Sequence, residues 1–243
     1  MNLLVLQHLA VEHPGVLRDF LAQDGARIET VELDEGQAIP DLTPFDVMLV
    51  MGGPQDVWQE AQYPWLVTEK SAIRRWVVDL RRPFLGICLG HQLLAEAIGG
   101  RVGPSVPEVG ALEVSLTEAG RSDPLMRGIP DPLPVLQWHG AEVKALPEGA
   151  VALARSERCE IQAFRYGPRA YGLQCHVEAT RETVSDWAAI PEYAAALDAA
   201  LGRDAAERLA ADVTGRLPAY EAVARTLYQN FKTLLRGQGR GGC

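Results

Sequence analysis

Gly86-Ile87-Cys88-Leu89-Gly90 is the stretch that most narrows what this chain can fold into. The short apolar run Pro83-Phe84-Leu85 enters it, and Leu93-Leu94-Ala95-Glu96-Ala97-Ile98 leaves it at helical spacing. A strand that reverses sharply into a helix forces the apex residue into a strained conformation. Side chains two positions away would collide there, so glycine is favoured at both flanks. The pattern predicts a strand, a tight turn and a helix, in the form of a nucleophile elbow with cysteine at its apex. An apex thiol stands at a helix N-terminus, where the macrodipole favours the attacking thiolate. Read alone, the pentapeptide also fits a tight βα turn around a buried cysteine.

The remaining chain supplies the elements such a turn needs. Residues 3–6 form a continuous apolar run, the mark of a parallel strand buried on both faces. A helix is expected over residues 16–24, a second strand over 27–33 and a third over 46–51, closed by Gly52-Gly53-Pro54. Residues 63–80 read as a helix with Pro64 near its start and Leu66, Ile73, Trp76, Val77 and Leu80 on its core face. Trp65 and Trp76 belong to that helix. Beyond Gly99-Gly100, short alternating runs at 111–117, 133–138, 150–155, 161–166 and 170–175 predict antiparallel strands added to the sheet. From Thr180 the pattern is helical, with an Ala-rich stretch at 194–211 and a last helix near 218–235. The expected fold is α/β: an open, largely parallel central sheet flanked by helices, with antiparallel strands in the second half and a helical C-terminus. One domain is expected over residues 1–236, with a helical extension at about 190–236 and a flexible glycine-rich tail at 237–243.

Composition excludes several classes of function. A formal charge of -9 argues against a surface for nucleic acid or anionic membrane, since both need basic patches. No run of about 18 apolar residues is present to span a bilayer. Residues 1–7 lack a basic leader and read as a first strand rather than a signal peptide. The cysteines at 88, 159, 175 and 243 have no paired or metal-type spacing, so a reduced, cytoplasmic setting without metal or other cofactor is expected.

A cysteine nucleophile needs a base nearby and a group to orient that base. His176 and Glu178 lie in Gly172-Leu-Gln-Cys-His-Val-Glu178, at the end of a predicted strand. Residues i and i+2 of extended chain point to one face, so the two side chains are placed to act together. Open α/β sheets build their sites at the carboxyl ends of strands, where both this segment and the elbow emerge. An attacked carbonyl also needs donors for its oxyanion. In elbow enzymes one is the N–H after the nucleophile, here Leu89, and another comes from the loop after the third strand, here Gly53. Each fragment has a plainer reading: a solvated strand end for His-x-Glu, an ordinary turn for Gly-Gly-Pro. Their joint order along one sheet edge is the stronger signal. His8 and His13 read as loop and strand-end residues rather than ligands. Cys175 next to His176 faces the opposite side of a strand and reads as a buried thiol rather than a metal ligand.

Gly86-Ile-Cys-Leu-Gly-His-Gln92, Met51-Gly-Gly-Pro54 and Gln174-Cys-His-Val-Glu178 resemble the three signatures of class I, triad-type glutamine amidotransferases. More narrowly, the chain resembles the free-standing group related to the glutaminase domain of GMP synthase. Glu108-Val-Gly110, Gln137-Trp-His-Gly140, Cys159-Glu-Ile-Gln-Ala-Phe164 and Glu178-Ala-Thr180 extend the resemblance from His8 to about Trp187. It implies a catalytic triad of Cys88, His176 and Glu178, an oxyanion hole from Gly53 and Leu89, and a γ-glutamyl thioester on Cys88. Gln92 would help bind glutamine; His139 would be a pocket residue or a pin for its loop. The family commonly carries an aromatic residue and a proline around this histidine, where this chain has Cys175 and Val177.

Three functions follow as expectations. The first is a glutamine amidotransferase or glutaminase whose ammonia passes to a separate synthase subunit, because residues 1–243 hold no glycine-rich phosphate loop of Walker type. The second is a hydrolase of γ-glutamyl amides or peptides with the same triad. The third is a non-catalytic binding protein on the same fold, against which the intact Cys88, His176 and Glu178 argue.

Overall fold

In a computed structural model that describes residues 1–236, Leu3, Leu4, Val5 and Leu6 have almost no exposed surface. Their strand, β1 (Asn2–Gln7), lies inside a parallel sheet between β2 (Arg27–Glu32) and β3 (Val47–Val50), so both of its faces are covered. β4 (Phe84–Ile87) pairs parallel with β3, and β9 (Ala170–Leu173) pairs parallel with β4. From β9 the same sheet continues antiparallel through β8 (Ala163–Tyr166), β7 (Ala150–Arg155), β5 (Arg101–Leu116) and β6 (Leu133–Ala145). The order is β2-β1-β3-β4-β9-β8-β7-β5-β6. This is the expected α/β architecture, with the antiparallel strands joined at β9.

Helices cover both faces. α1 (Leu17–Gln23) and α7 (Ala205–Arg236) pack on one side, where Phe20, Leu21, Leu227 and Phe231 meet residues of β1, β3 and β9. α2 (Trp65–Arg74) and α3 (Leu89–Ala97) pack on the other, with Ile73, Leu93 and Leu94 against Leu4, Leu6, Met48 and Val50. α2 runs on as a π-helical turn over Arg75–Asp79, where a regular helix is predicted by the spacing. α4 (Glu118–Ser122) is a single turn capped by the Thr117 hydroxyl, which accepts from Gly120 N–H. α5 (Thr183–Ala188) and α6 (Pro191–Leu201) lead from the sheet edge into α7.

Three expectations change in detail. The hairpin β5–β6 is far longer than the runs at 111–117 and 133–138, and β5 contains Pro104 and Pro107 where its register with β6 slips. The Ala-rich stretch is divided between α6 and α7, because Gly202 and Asp204 take φ of 81° and 62° and end α6. Pro218 lies inside α7 rather than opening a last helix. An interior proline costs about 3 kcal/mol, whereas fully burying one large apolar side chain contributes roughly 1.5–3 kcal/mol. α7 buries Leu209, Val213, Tyr220, Val223, Leu227 and Phe231, so tertiary packing outweighs the local penalty. The glycine-rich tail at 237–243, Cys243 included, lies outside the described residues.

Candidate active site

Cys88 closes β4 and caps α3 with φ 52° and ψ −104°, a region that L residues rarely occupy. The flanking glycines are required by contact. A Cβ on Gly86 would stand 2.4 Å from Gly90 O, and one on Gly90 would stand 2.2 Å from Val50 O. Backbone bonds pin the turn on two sides: Cys88 N–H donates to Leu173 O at 2.8 Å and Gly90 N–H to Met51 O at 3.1 Å. Leu89 opens α3, so its N–H has no acceptor within the helix. Among the described residues neither Leu89 N–H nor Gly53 N–H donates to a protein acceptor.

His176 lies beyond the end of β9 and is held by an isolated bridge to Leu136 of β6, with hydrogen bonds of 2.8 and 3.1 Å. Its Nδ1–H donates to Glu178 Oε1 at 2.7 Å, and Glu178 Oε2 accepts from Val177 N–H at 2.9 Å. The carboxylate thereby selects the tautomer and leaves Nε2 toward the thiol. Burial opposes a charged imidazole here. The charges and hydrogen bonds of Glu178 and Cys88 outweigh it and hold His176 well above the ordinary histidine range. Cys88, His176 and Glu178, 88 positions apart at the first step and two at the second, are thus brought together and buried.

Gln92, on α3, donates its amide to Ala141 O and to Gln174 Oε1, both at 3.1 Å. Gln174 in turn places Nε2 3.7 Å from Cys88 Sγ, so Gln92 reaches the thiol through a second glutamine. His139 turns Nδ1 to Ala141 O at 3.0 Å and Nε2 to within 3.3 Å of Glu108, whose carboxylate also binds Ser156 and Gln162. His91, beside Gln92 in sequence, is a core residue set edge-on against Phe164. Burial drives its pKa down to about 3. Cys175 is buried and its thiol is pushed upward by burial. Among the described residues no three His, Cys, Asp or Glu converge as metal ligands.

Sequence reasoning missed the roof. Trp187 of α5 packs edge-on to His176 with centroids 4.6 Å apart, and against Trp138 and Tyr193 of α6. Tyr193 donates its phenol to Glu12 Oε1 at 2.5 Å. Glu12 is buried in the loop after β1, and its Oε2 has no hydrogen-bond partner among the described residues. Burial raises the Glu12 carboxyl, against the pull of the nearby His176 and of the Tyr193 hydrogen bond. Tyr193 stands just before an Ala-rich run, and Glu12 is an isolated acid in a loop, so no local pattern marks either.

The model of the glutamine amidotransferase class-I family matches residues 15–186. The chain is 37% identical over 182 residues to the glutamine amidotransferase-like protein YfeJ of Salmonella typhimurium, covering 73% of this chain and 75% of that one. It is 33% identical over 153 residues to a subunit of the glutamine-hydrolysing GMP synthase of Archaeoglobus fulgidus, covering 62% and 76%. A crystal structure of a glutamine amidotransferase from Thermotoga maritima superposes with a TM-score of 0.85 at 26% identity, over 97% of this chain and 98% of the other. One from Methylobacillus flagellatus gives 0.85 at 29% identity, over 100% and 98%. Elbow, histidine and glycine loop all fall inside the matched span, and the chain belongs to the class-I glutamine amidotransferase family.

Proposed function

We propose that this protein hydrolyses the side-chain amide of glutamine through an acyl-enzyme on Cys88. The observation that carries the reading is a buried cysteine at φ 52° on a helix N-terminus, beside a buried imidazole whose proton affinity it raises and which Glu178 holds at 2.7 Å. With His176 protonated, Cys88 Sγ attacks the amide carbon as thiolate, and the carbonyl electron pair moves onto oxygen. Gly53 N–H and Leu89 N–H receive that oxyanion. Collapse breaks the C–N bond; His176 delivers its proton to the nitrogen and ammonia leaves. His176, now neutral, takes a proton from water as the water attacks the γ-glutamyl thioester. The products are glutamate and the restored thiolate–imidazolium pair. Gln92 and Gln174 set the wall beside the thiol, and His139 with Glu108 forms the polar side of the pocket.

Two further readings rest on this one. Relatives named as one subunit of a glutamine-hydrolysing GMP synthase support passage of the ammonia to a separate synthase subunit. The unpartnered Glu12 oxygen, in the field of His176, favours a second substrate class. A buried unpaired acceptor near the imidazole can take an N–H of a leaving amine, which makes γ-glutamyl amides the second class to test beside glutamine.

The test is labelling with 6-diazo-5-oxonorleucine followed by peptide mass analysis, beside glutamate release from glutamine and from γ-glutamyl amides. Label on Cys88, and loss of both labelling and turnover in Cys88→Ala, is the expected result. Label on Cys159, whose thiol burial pushes up to about 12, would place the chemistry elsewhere. A Cys88→Ala protein that keeps its cellular activity would favour a binding role.

A further inference from the structure

His8 takes part in no step above, yet its side chain has no exposed surface. It follows β1 directly, and its ring stacks on Trp65 with centroids 5.3 Å and planes 18° apart. Nε2 lies 3.0 and 3.1 Å from the two carboxylate oxygens of Glu69 on α2, which is equally enclosed. Nδ1 lies 2.8 Å from Gly52 O. A carbonyl oxygen can only accept, so Nδ1 carries a proton and donates it.

Gly52 C=O and Gly53 N–H are the two ends of one peptide unit. Among the described residues the one cis bond is Asp131-Pro132, so this unit is trans, and its C=O and N–H point in opposite directions. Holding Gly52 O therefore sets where Gly53 N–H points, which is away from His8. A glycine pair has the freest backbone in the chain, and rotation of the peptide between two glycines is the motion this bond suppresses. The neighbouring anchors act on the ends of the loop and leave that rotation open: Met51 O accepts from Gly90 N–H at 3.1 Å, and Gln55 Nε2 reaches His8 O at 3.4 Å.

We propose that His8, braced by Glu69, is a positioning residue of the oxyanion hole: it grips Gly52 O so that Gly53 N–H is aimed at the oxyanion before substrate arrives. This rests on the assignment of Gly53 as an oxyanion donor. A purely space-filling role does not account for the choice of residues. Buried imidazole–carboxylate pairs often contribute no more to stability than well-packed apolar side chains of the same volume. What such side chains cannot supply is a directed donor to Gly52 O.

Two substitutions separate the roles. Asparagine at position 8 sets an amide nitrogen near the place of Nδ1 and keeps the bond to Gly52 O; glutamine reaches the place of Nε2 and keeps Glu69 instead. Removing one oxyanion donor outright costs about 10²–10³ in kcat, so a misaimed donor should cost about tenfold to a hundredfold. His8→Gln should show that loss, with KM within about threefold of wild type, while His8→Asn stays within about fivefold in kcat. An aldehyde analogue of glutamine, which adds to Cys88 as a tetrahedral oxyanion, should bind His8→Gln more weakly in proportion to kcat. Alkylation of Cys88 by iodoacetamide builds no oxyanion and should keep its wild-type rate. If His8→Gln does not fold, Glu69→Gln preserves side-chain volume and should lower kcat at unchanged KM. Equal kcat in His8→Gln and His8→Asn, or a change confined to thermal stability, overturns the positioning role. Wild-type protein inert toward glutamine and γ-glutamyl amides overturns the hydrolase reading and this proposal together, which is a distinct result.

Discussion

Gly90→Ala tests whether the elbow is built as described, because the clash it creates is with backbone. The new Cβ would stand 2.2 Å from Val50 O, 2.8 Å from Val50 C and 3.0 Å from Val50 Cβ. Carbon contacts are comfortable near 3.5 Å, so the start of α3 must retreat from β3 by about 1 Å. That retreat also breaks the 3.1 Å bond from Gly90 N–H to Met51 O. Overpacking costs about 1–3 kcal/mol and the lost hydrogen bond about 1 kcal/mol. For a domain of this length each kcal/mol lowers Tm by about 2–4 °C, which gives a fall of roughly 4–16 °C. The same retreat carries Cys88 away from Gly53. A misplacement of about 1 Å in reacting groups is enough for a 10²-fold loss of kcat. Differential scanning calorimetry and a glutamate-release assay read the two effects on one sample. Gly215→Ala is the control: beyond its own helical turn no described residue lies within 4 Å of the added Cβ, and stability should rise by about 0.5–1 kcal/mol. A Gly90→Ala protein with wild-type Tm and kcat would refute the locked elbow.

Four other outcomes are expected. Glu178→Gln should lower kcat by about 10²–10⁴ through loss of the oriented tautomer. It should also change the pH dependence of stability. His176 binds its proton more tightly folded than unfolded, so its contribution is complete below pH about 6.5 and is lost as pH rises through the raised folded value. The Tm gap between wild type and Glu178→Gln should narrow over that alkaline range; a constant gap would contradict the pairing. Tyr193→Phe leaves buried Glu12 without its donor and should cost about 1–3 kcal/mol in urea unfolding. We also propose that residues 1–236 unfold as one domain with 190–236 packed upon it. Calorimetry should then show one transition, and a chain cut before α7 should aggregate because Leu209, Val213, Tyr220, Val223, Leu227 and Phe231 lose their cover. Finally, Gln92→Leu should lower kcat/KM about tenfold by releasing Gln174 from its place beside the thiol, without blocking thioester formation.

Where the pattern is local, it was readable. The run at residues 3–6 has the pattern of a strand covered on both faces, and glycines two residues either side of Cys88 suit a reversal too tight for Cβ atoms. His176 and Glu178 meet because extended chain repeats every two residues. Pro218 misleads at the same level, since its penalty is local while the apolar face that overrides it is made with β-strands far away in sequence.

By itself, then, the sequence determined the α/β class, the elbow and the pairing of His176 with Glu178, each set by sterics within a few consecutive residues. The tertiary structure decided the rest. Only the sheet order puts β9 beside β4 and so His176 beside Cys88. Only chain return brings Tyr193 to Glu12, 181 residues apart, and Glu69 to His8, 61 residues apart. Contacts of that kind carry no periodicity, because the residues that make them are chosen by what the folded chain lays across from them rather than by their neighbours in sequence.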